Sequence, residues 1–207
     1  MLRRTLLSIL AVLLTCALCA PVFAAAPAAK AGTRLSGSSL TMLYGDNHVF
    51  AVVPPKGWVV DDTSGMGSKI RVVLYPLGQK WATAPTVMYE NPLHQDPASR
   101  LTLAQMIDRD VASFRRQAPK GKVTSAPQIR TLKGQTAEVR YFSPDGHDPL
   151  TAVAYLEETD MVILLVLESK TADGLRSALQ PFHELITGYQ FVAGGVKTPT
   201  STAGAKR

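Results

Sequence analysis

The sequence predicts an α+β fold in which a mainly antiparallel β-sheet is flanked by helices on both faces, as an α/β/α sandwich. Short polar turns separate stretches of alternating apolar residues, and turns of this length join antiparallel neighbours. Two longer stretches have apolar residues at helical spacing, which indicates helices that lie on a sheet. Residues 161–167 are apolar throughout, so we expect a central strand that is covered on both faces.

The first half of the domain is predicted to begin with a hairpin. Residues 40–44 and 48–53 flank the polar turn 45–47, whose residue types tolerate positive φ. Two prolines then end the strand, Gly57 permits a sharp change of direction, and Trp58 is expected to be a core anchor. The other strands are expected at residues 58–60, 70–75, 86–90, 128–132, 135–142, 151–157 and 161–168, with a short closing strand at 189–192.

The most regular helical pattern covers residues 96–118, where Asp110 is the one polar interruption of the apolar stripe. Residues 102–105 have the spacing of a capping box, which indicates where the helix begins. A second helix is expected from Ala172. Pro181 lies inside it and is expected to cause a kink or a break, because proline has no amide proton.

Residues 1–24 have the pattern of a signal peptide. A cationic start precedes the apolar run 6–18, which is shorter than the roughly 20 residues that cross a bilayer. Small residues precede the bond between Ala24 and Ala25, so we expect cleavage there. The protein is then periplasmic or secreted and has no membrane span after cleavage.

Cys16 and Cys19 are the two cysteines of the chain, and both lie in this first segment. Cleavage after Ala24 therefore removes all thiol chemistry. The alternative is a lipoprotein, in which one of these cysteines is acylated and anchors the chain.

Composition divides the rest of the chain into three parts. Residues 25–38 and 194–207 are rich in Ala, Gly, Ser and Thr, so we expect a disordered linker and a disordered tail. Residues 39–193 form the single predicted domain. The net charge of +6 comes from the ends of the chain, since residues 40–191 contain 15 basic and 16 acidic side chains. Nucleic-acid binding, which needs clustered positive charge, is therefore not expected.

One motif carries a family resemblance. The stretch Phe50-Ala-Val-Val-Pro-Pro-Lys-Gly-Trp58 resembles the opening of PsbP-like domains, with Phe50, Pro55, Gly57 and Trp58 as its distinctive positions. This fold is shared by the photosystem II extrinsic subunit P, a fungal Ran-binding import factor and DcrB-type periplasmic proteins. The resemblance implies an accessory or binding role, exerted by docking to larger partners, and no chemistry of its own.

Metal ligands are sparse in the sequence. The four histidines, His48, His94, His147 and His183, are scattered and have no partners at zinc spacing. The nearest approach to a ligand cluster is residues 145–148, with His94 and Asp96 as a second contributor. We expect a solvated turn there, and no bound metal or cofactor.

Catalytic patterns are equally weak. Ser64 and Ser68 flank Gly65-Met66-Gly67, which is not a nucleophile elbow, so a flexible loop is expected. Trp81, in the loop 76–85, is the predicted candidate for partner contact, because tryptophan is enriched at interfaces.

These observations favour an exported, non-enzymatic accessory or binding domain with a protein partner in the cell envelope. The alternative is a periplasmic hydrolase or metal-dependent enzyme whose site assembles from distant residues. An enzyme needs a polar pocket with a perturbed titratable group, whereas a docking module needs an exposed apolar or aromatic patch.

Overall fold

The computed structural model describes residues 34–35, 39–45, 47–68 and 70–195. The strands are β1 (Arg34–Leu35), β2 (Thr41–Tyr44), β3 (His48–Val52), β4 (Trp58–Asp61), β5 (Val73–Pro76), β6 (Thr86–His94), β7 (Lys122–Ser125), β8 (Ile129–Arg130), β9 (Thr136–Ser143), β10 (Thr151–Glu157), β11 (Met161–Ser169) and β12 (Gln190–Gly194). The helices are α1 (Leu103–Gln117) and α2 (Ala172–Gly188). Short 3-10 turns occur at Met66–Ser68 and Pro97–Ser99.

Two antiparallel sheets are present. The large sheet has the order β1-β4-β5-β6-β11-β10-β9-β7, and β8 also pairs with β9. The small sheet has the order β12-β3-β2, and its β2–β3 hairpin is the predicted one. Strand β11 lies between β6 and β10, and its residues 161–167 are all buried. The predicted central strand is therefore confirmed.

Side chains of β11 alternate between the two faces of the large sheet. Val162, Leu164 and Val166 belong to the core beneath α1, which contributes Met106, Ile107 and Phe114. Met161, Ile163, Leu165 and Leu167 belong to the opposite core, together with α2 and the inner side of the small sheet. The helices thus cover opposite faces, and the predicted α+β sandwich is confirmed.

Both helices begin at a threonine cap. The Thr102 side chain accepts a hydrogen bond from the Gln105 amide at 3.2 Å, and the Gln105 side chain accepts one from the Thr102 amide at 2.9 Å, which completes the predicted capping box. Helix α2 continues through Pro181 to Gly188, so of the two expected outcomes, a kink or a break, the break does not occur. Its buried face, which includes Phe182, packs on the large sheet and outweighs the missing hydrogen bond. Within the described chain, neither helix is long and apolar enough to cross a membrane.

The structure contains strands that the sequence pattern did not predict. Strand β7 is short and mostly polar, and it pairs with β9 at the edge of the large sheet. Strand β1 pairs Arg34 with Asp61 and Leu35 with Val60, inside the stretch predicted as a linker. The closing strand β12 is present, and it pairs with β3 of the small sheet.

The Pro-Gly-Trp motif forms the turn between β3 and β4. Gly57 has a φ of +81°, a conformation that costs side-chain-bearing residues energy, and the Trp58 amide donates to the Pro55 carbonyl at 3.0 Å. The turn directs Trp58, which is 6% exposed, into the core on the α2 side, where Phe50 is also buried. The motif therefore has a structural role at these four positions.

Candidate functional site

An apolar patch lies on the outer side of the small sheet. Leu40, Met42 and Tyr44 are 52%, 50% and 44% exposed, whereas the intervening Thr41 and Leu43 are buried. Successive side chains of a strand point to opposite faces, so the three exposed side chains share one face. We call Leu40, Met42 and Tyr44 the β2 patch. Contiguous exposed apolar side chains of this kind mark interaction sites.

Strand β2 is also an edge of the small sheet, since β3 is the one described strand that pairs with it. Protein edges are usually blocked by charge, proline, bulges or short length. Within the described residues, the edge strand β7 begins with Lys122, β12 has a register shift between Phe191 and Ala193, and β1 has two residues. Strand β2 has none of these features, since residues 39–45 contain neither a charged side chain nor a proline. Its edge is therefore suited to pairing with another strand.

A buried polar contact holds the small sheet against the large one. His48 Nε2 of β3 lies 3.0 Å from Glu90 Oε1 of β6, and both side chains are almost fully buried. The His48 ring stacks on Phe50 at 5.4 Å and on Phe191 at 6.4 Å between centroids, and Phe50 stacks on Tyr189 at 5.7 Å. This cluster determines how the β2 patch is oriented relative to the large sheet.

The turn after β2 packs closely on this cluster. Asn47 has a φ of +62°, and the Gly45 amide donates to the His48 carbonyl at 3.0 Å. A Cβ atom at Gly45 would lie 2.0 Å from Cε1 of the His48 ring. Only glycine therefore fits over the buried imidazole without a displacement of the ring.

A second polar cluster lies beneath α1. The Tyr155 hydroxyl donates to Asp110 Oδ2, and the Tyr89 hydroxyl is hydrogen-bonded to Glu168. Burial raises the pKa of Asp110, although Tyr155 and the Arg109 charge oppose the shift. Burial likewise raises the pKa of Glu168 to about 7, against the opposing hydrogen bond from Tyr89. The hydrogen bond to the Tyr155 hydroxyl of β10 explains why the polar Asp110 interrupts the apolar stripe of α1.

We expect this cluster to make the protein less stable as the pH rises through neutrality. The pKa of Glu168 is about 7 in the folded state, against the ordinary value of 4.5 that applies to the unfolded chain, so the folded state binds the proton more tightly. Its stabilising contribution is complete below about pH 4.5 and is lost as the pH rises through about 7. The raised pKa of Asp110 acts in the same direction. The expected loss between pH 5 and pH 8 is about 1 to 3 kcal/mol.

Urea unfolding of the Glu168→Gln variant at pH 5 and pH 8 measures this effect. The variant is expected to gain stability relative to wild type as the pH rises, because it has no carboxyl group to ionise. Glu184→Gln, on the exposed side of α2, is the matched control and should follow the wild-type pH dependence. Parallel pH profiles for wild type and Glu168→Gln would contradict the prediction.

The loop predicted as a flexible serine-glycine segment is ordered by Asp61. The Ser64 hydroxyl donates to Asp61 Oδ2 at 2.6 Å and the Tyr75 hydroxyl at 2.7 Å, while the Thr63 amide donates to Oδ1 at 2.9 Å. Burial alone would raise the pKa of Asp61, but these hydrogen bonds stabilise the carboxylate and hold its pKa well below the ordinary value. In this geometry Ser64 is a donor that orders the loop.

The two groups of candidate metal ligands, residues 145–148 and the pair His94 and Asp96, lie far apart. His94 ends β6 opposite Met161, the first residue of β11, whereas residues 144–150 precede β10 at the other end of the sheet. The nine residues of β11 span roughly 30 Å. Asp145 and His147 are exposed and line an open depression of about 570 Å³ beside Lys120. His94 therefore cannot complete a metal site with this loop.

Trp81, the predicted candidate for partner contact, lies against the large sheet. Trp81 is half-buried and packs edge-to-face on Tyr89, with 6.2 Å between the ring centroids. Its role in partner contact stays a prediction.

The predicted cleavage site at Ala24 and Ala25, and both cysteines, lie outside the described residues. Sequence reasoning missed the β2 patch, although the uncharged stretch before Asp46 and its alternating apolar residues were the available signal.

Comparison with known proteins identifies a similar structure but no sequence relative. No protein family model matches the chain, and no curated protein matches it. The solution structure of cyanobacterial PsbP (CyanoP) from Synechocystis sp. PCC 6803 is similar to 76% of this chain over 95% of its own length, with 14% identity and a TM-score of 0.49. No partner or activity follows from this likeness for the chain, and the PsbP-like resemblance rests on the motif at residues 50–58.

Proposed function

We propose that the protein is an exported, non-enzymatic binding domain that docks to a protein partner in the cell envelope through the β2 patch. The observation that carries this proposal is the exposure of Leu40, Met42 and Tyr44 on one side of an unblocked edge strand. An apolar surface loses its unfavourable contact with water when a partner covers it. The signal-peptide pattern of residues 1–24 supports export.

The polar clusters support a binding role over catalysis. Asp110 and Glu168 have raised pKa values, a feature that enzymes also show. Both carboxyl groups are hydrogen-bonded to tyrosines beneath α1, and such bonds stabilise the packing of the helix on the sheet. The motif resemblance to PsbP-like domains implies the same accessory role.

Photo-crosslinking in intact cells tests the proposal. The amino acid p-benzoylphenylalanine is placed at Met42, and in a control at Leu77, an equally apolar side chain that is 63% exposed on the loop after β5. We expect a discrete adduct with one envelope protein from position 42 and none from position 77.

The intact mass of the exported chain tests the predicted processing. It should equal the mass of a chain that begins at Ala25. A mass that includes an acylated Cys16 or Cys19 would contradict cleavage after Ala24 and establish the lipoprotein alternative.

Binding of the captured protein is then measured with purified components. Met42→Lys should weaken the affinity at least about tenfold, because it places a charge in an apolar contact, whereas Leu77→Lys should leave it unchanged. Equal adducts at both positions, or equal affinities for both lysine variants, would contradict docking through the β2 patch.

A further inference from the structure

The backbone of β2 directs hydrogen-bonding groups toward its open edge. Gly45 and His48 form a hydrogen-bonded pair at the end of the β2–β3 ladder. Such pairs recur at every second residue of an antiparallel ladder. Met42 and Tyr44 fall between them, so their N–H and C=O groups point away from β3. The edge can therefore accept another strand at these two residues.

The same residues carry the exposed apolar side chains. Met42 and Tyr44 are about half exposed, and Leu40 continues the pattern two residues earlier. Residues 39–45 carry no charge, so a charged strand placed beside them would lose hydration without gaining a partner. A strand of the same uncharged, alternating character meets both requirements, and a second copy of β2 is such a strand.

We propose that two copies of the chain associate by antiparallel pairing of their β2 strands about a two-fold axis at Met42. Residues that lie opposite each other in the two strands must have side chains on the same face of the sheet. The pairing must also use the backbone groups that point away from β3, which belong to Met42 and Tyr44. With Met42 opposite Met42 of the second copy, Leu40 lies opposite Tyr44 in both directions. This register matches all three exposed apolar residues with apolar partners.

The resulting small sheet has six strands, in the order β12-β3-β2-β2-β3-β12, and no free β2 edge. The inference rests on the part of the proposed function that makes the β2 patch a binding surface, and it names a second copy of the chain as the occupant of that surface. The interface is isologous, as two-fold dimers require. Two short strands bury little area, so the dimer is expected to be weak and its population to depend on concentration.

Disulfide trapping tests the register. In a background with Cys16→Ser and Cys19→Ser, Met42→Cys places two thiols on the two-fold axis at a Cα separation of about 5.5 Å, which a disulfide spans. We expect a disulfide-linked dimer to form at least about tenfold faster than from Leu77→Cys, the matched exposed control. Equal rates from positions 42 and 77 would overturn the proposal.

Sedimentation velocity over a wide concentration range tests the association without a covalent bond. The wild-type chain should show a monomer–dimer equilibrium, which Met42→Lys weakens at least about tenfold by opposing two like charges on the axis. Leu77→Lys should leave it unchanged, and circular dichroism should show that both variants are folded. A monomeric wild type at all concentrations, or a dimer that Met42→Lys does not weaken, would overturn the proposal.

The two proposals fail in different ways. If the chain is monomeric but position 42 cross-links to an envelope protein that Met42→Lys releases, self-association is wrong and the proposed function stands. If position 42 cross-links only to a second copy, self-association stands and docking to another protein through this surface is wrong. Mass spectrometry of the adduct distinguishes these results.

Discussion

Replacement of Trp58 by alanine is expected to destabilise the protein by about 3 to 5 kcal/mol, the usual cost of deleting a buried aromatic side chain. Trp58 is 6% exposed and belongs to the core between the large sheet and α2. The turn at Gly57 holds the backbone in place, so the structure cannot close the cavity readily. The measurement is the free energy of unfolding in guanidinium chloride.

Trp81→Ala is the matched control for this prediction. Trp81 is half-buried and packs on Tyr89, so its removal leaves a smaller cavity and should cost clearly less. Similar small losses for both variants would show that Trp58 is not a core anchor. A weakened affinity for the captured partner in Trp81→Ala alone would support its predicted contact role.

His48→Leu is expected to destabilise the protein by a similar amount, about 3 to 5 kcal/mol. The variant places an apolar side chain at the junction of the two sheets but removes the imidazole that lies 3.0 Å from the buried Glu90 carboxyl group. It also removes two stacked ring contacts. Because His48 joins the small sheet to the large one, the variant should also weaken binding through the β2 patch.

A double-mutant cycle separates the lost contact from lost packing. Adding Glu90→Leu to His48→Leu should recover part of the stability, because the buried carboxylate is removed with its partner. His94→Leu, at an exposed position, should change stability by less than about 0.5 kcal/mol. Additive losses in the cycle would show that the two side chains do not interact energetically.

Local sequence patterns predict much of this fold. The continuous apolar run predicts β11 as a central strand, and the spacing of Thr102 and Gln105 predicts where α1 begins. The residue types of the turn at 45–47 predict the β2–β3 hairpin. These features depend on neighbours a few residues apart, so periodicity and turn chemistry contain the information.

Other features depend on contacts between residues that are distant in the chain. Strand β12 pairs with β3 and thereby completes the small sheet, although about 140 residues separate them. Asp110 meets Tyr155, and His48 meets Glu90, through packing that no local spacing encodes. Helix α2 passes Pro181 intact because its buried face packs on the sheet, which overrides the local preference to break.

The candidate surface shows the same division. Alternation in residues 40–44 is visible in the sequence, and it establishes that Leu40, Met42 and Tyr44 share a face. Whether that face is buried or exposed follows from the position of β2 in the strand order, with β3 on one side and no described strand on the other. Strand order arises from long-range pairing, which the residues of one strand do not encode.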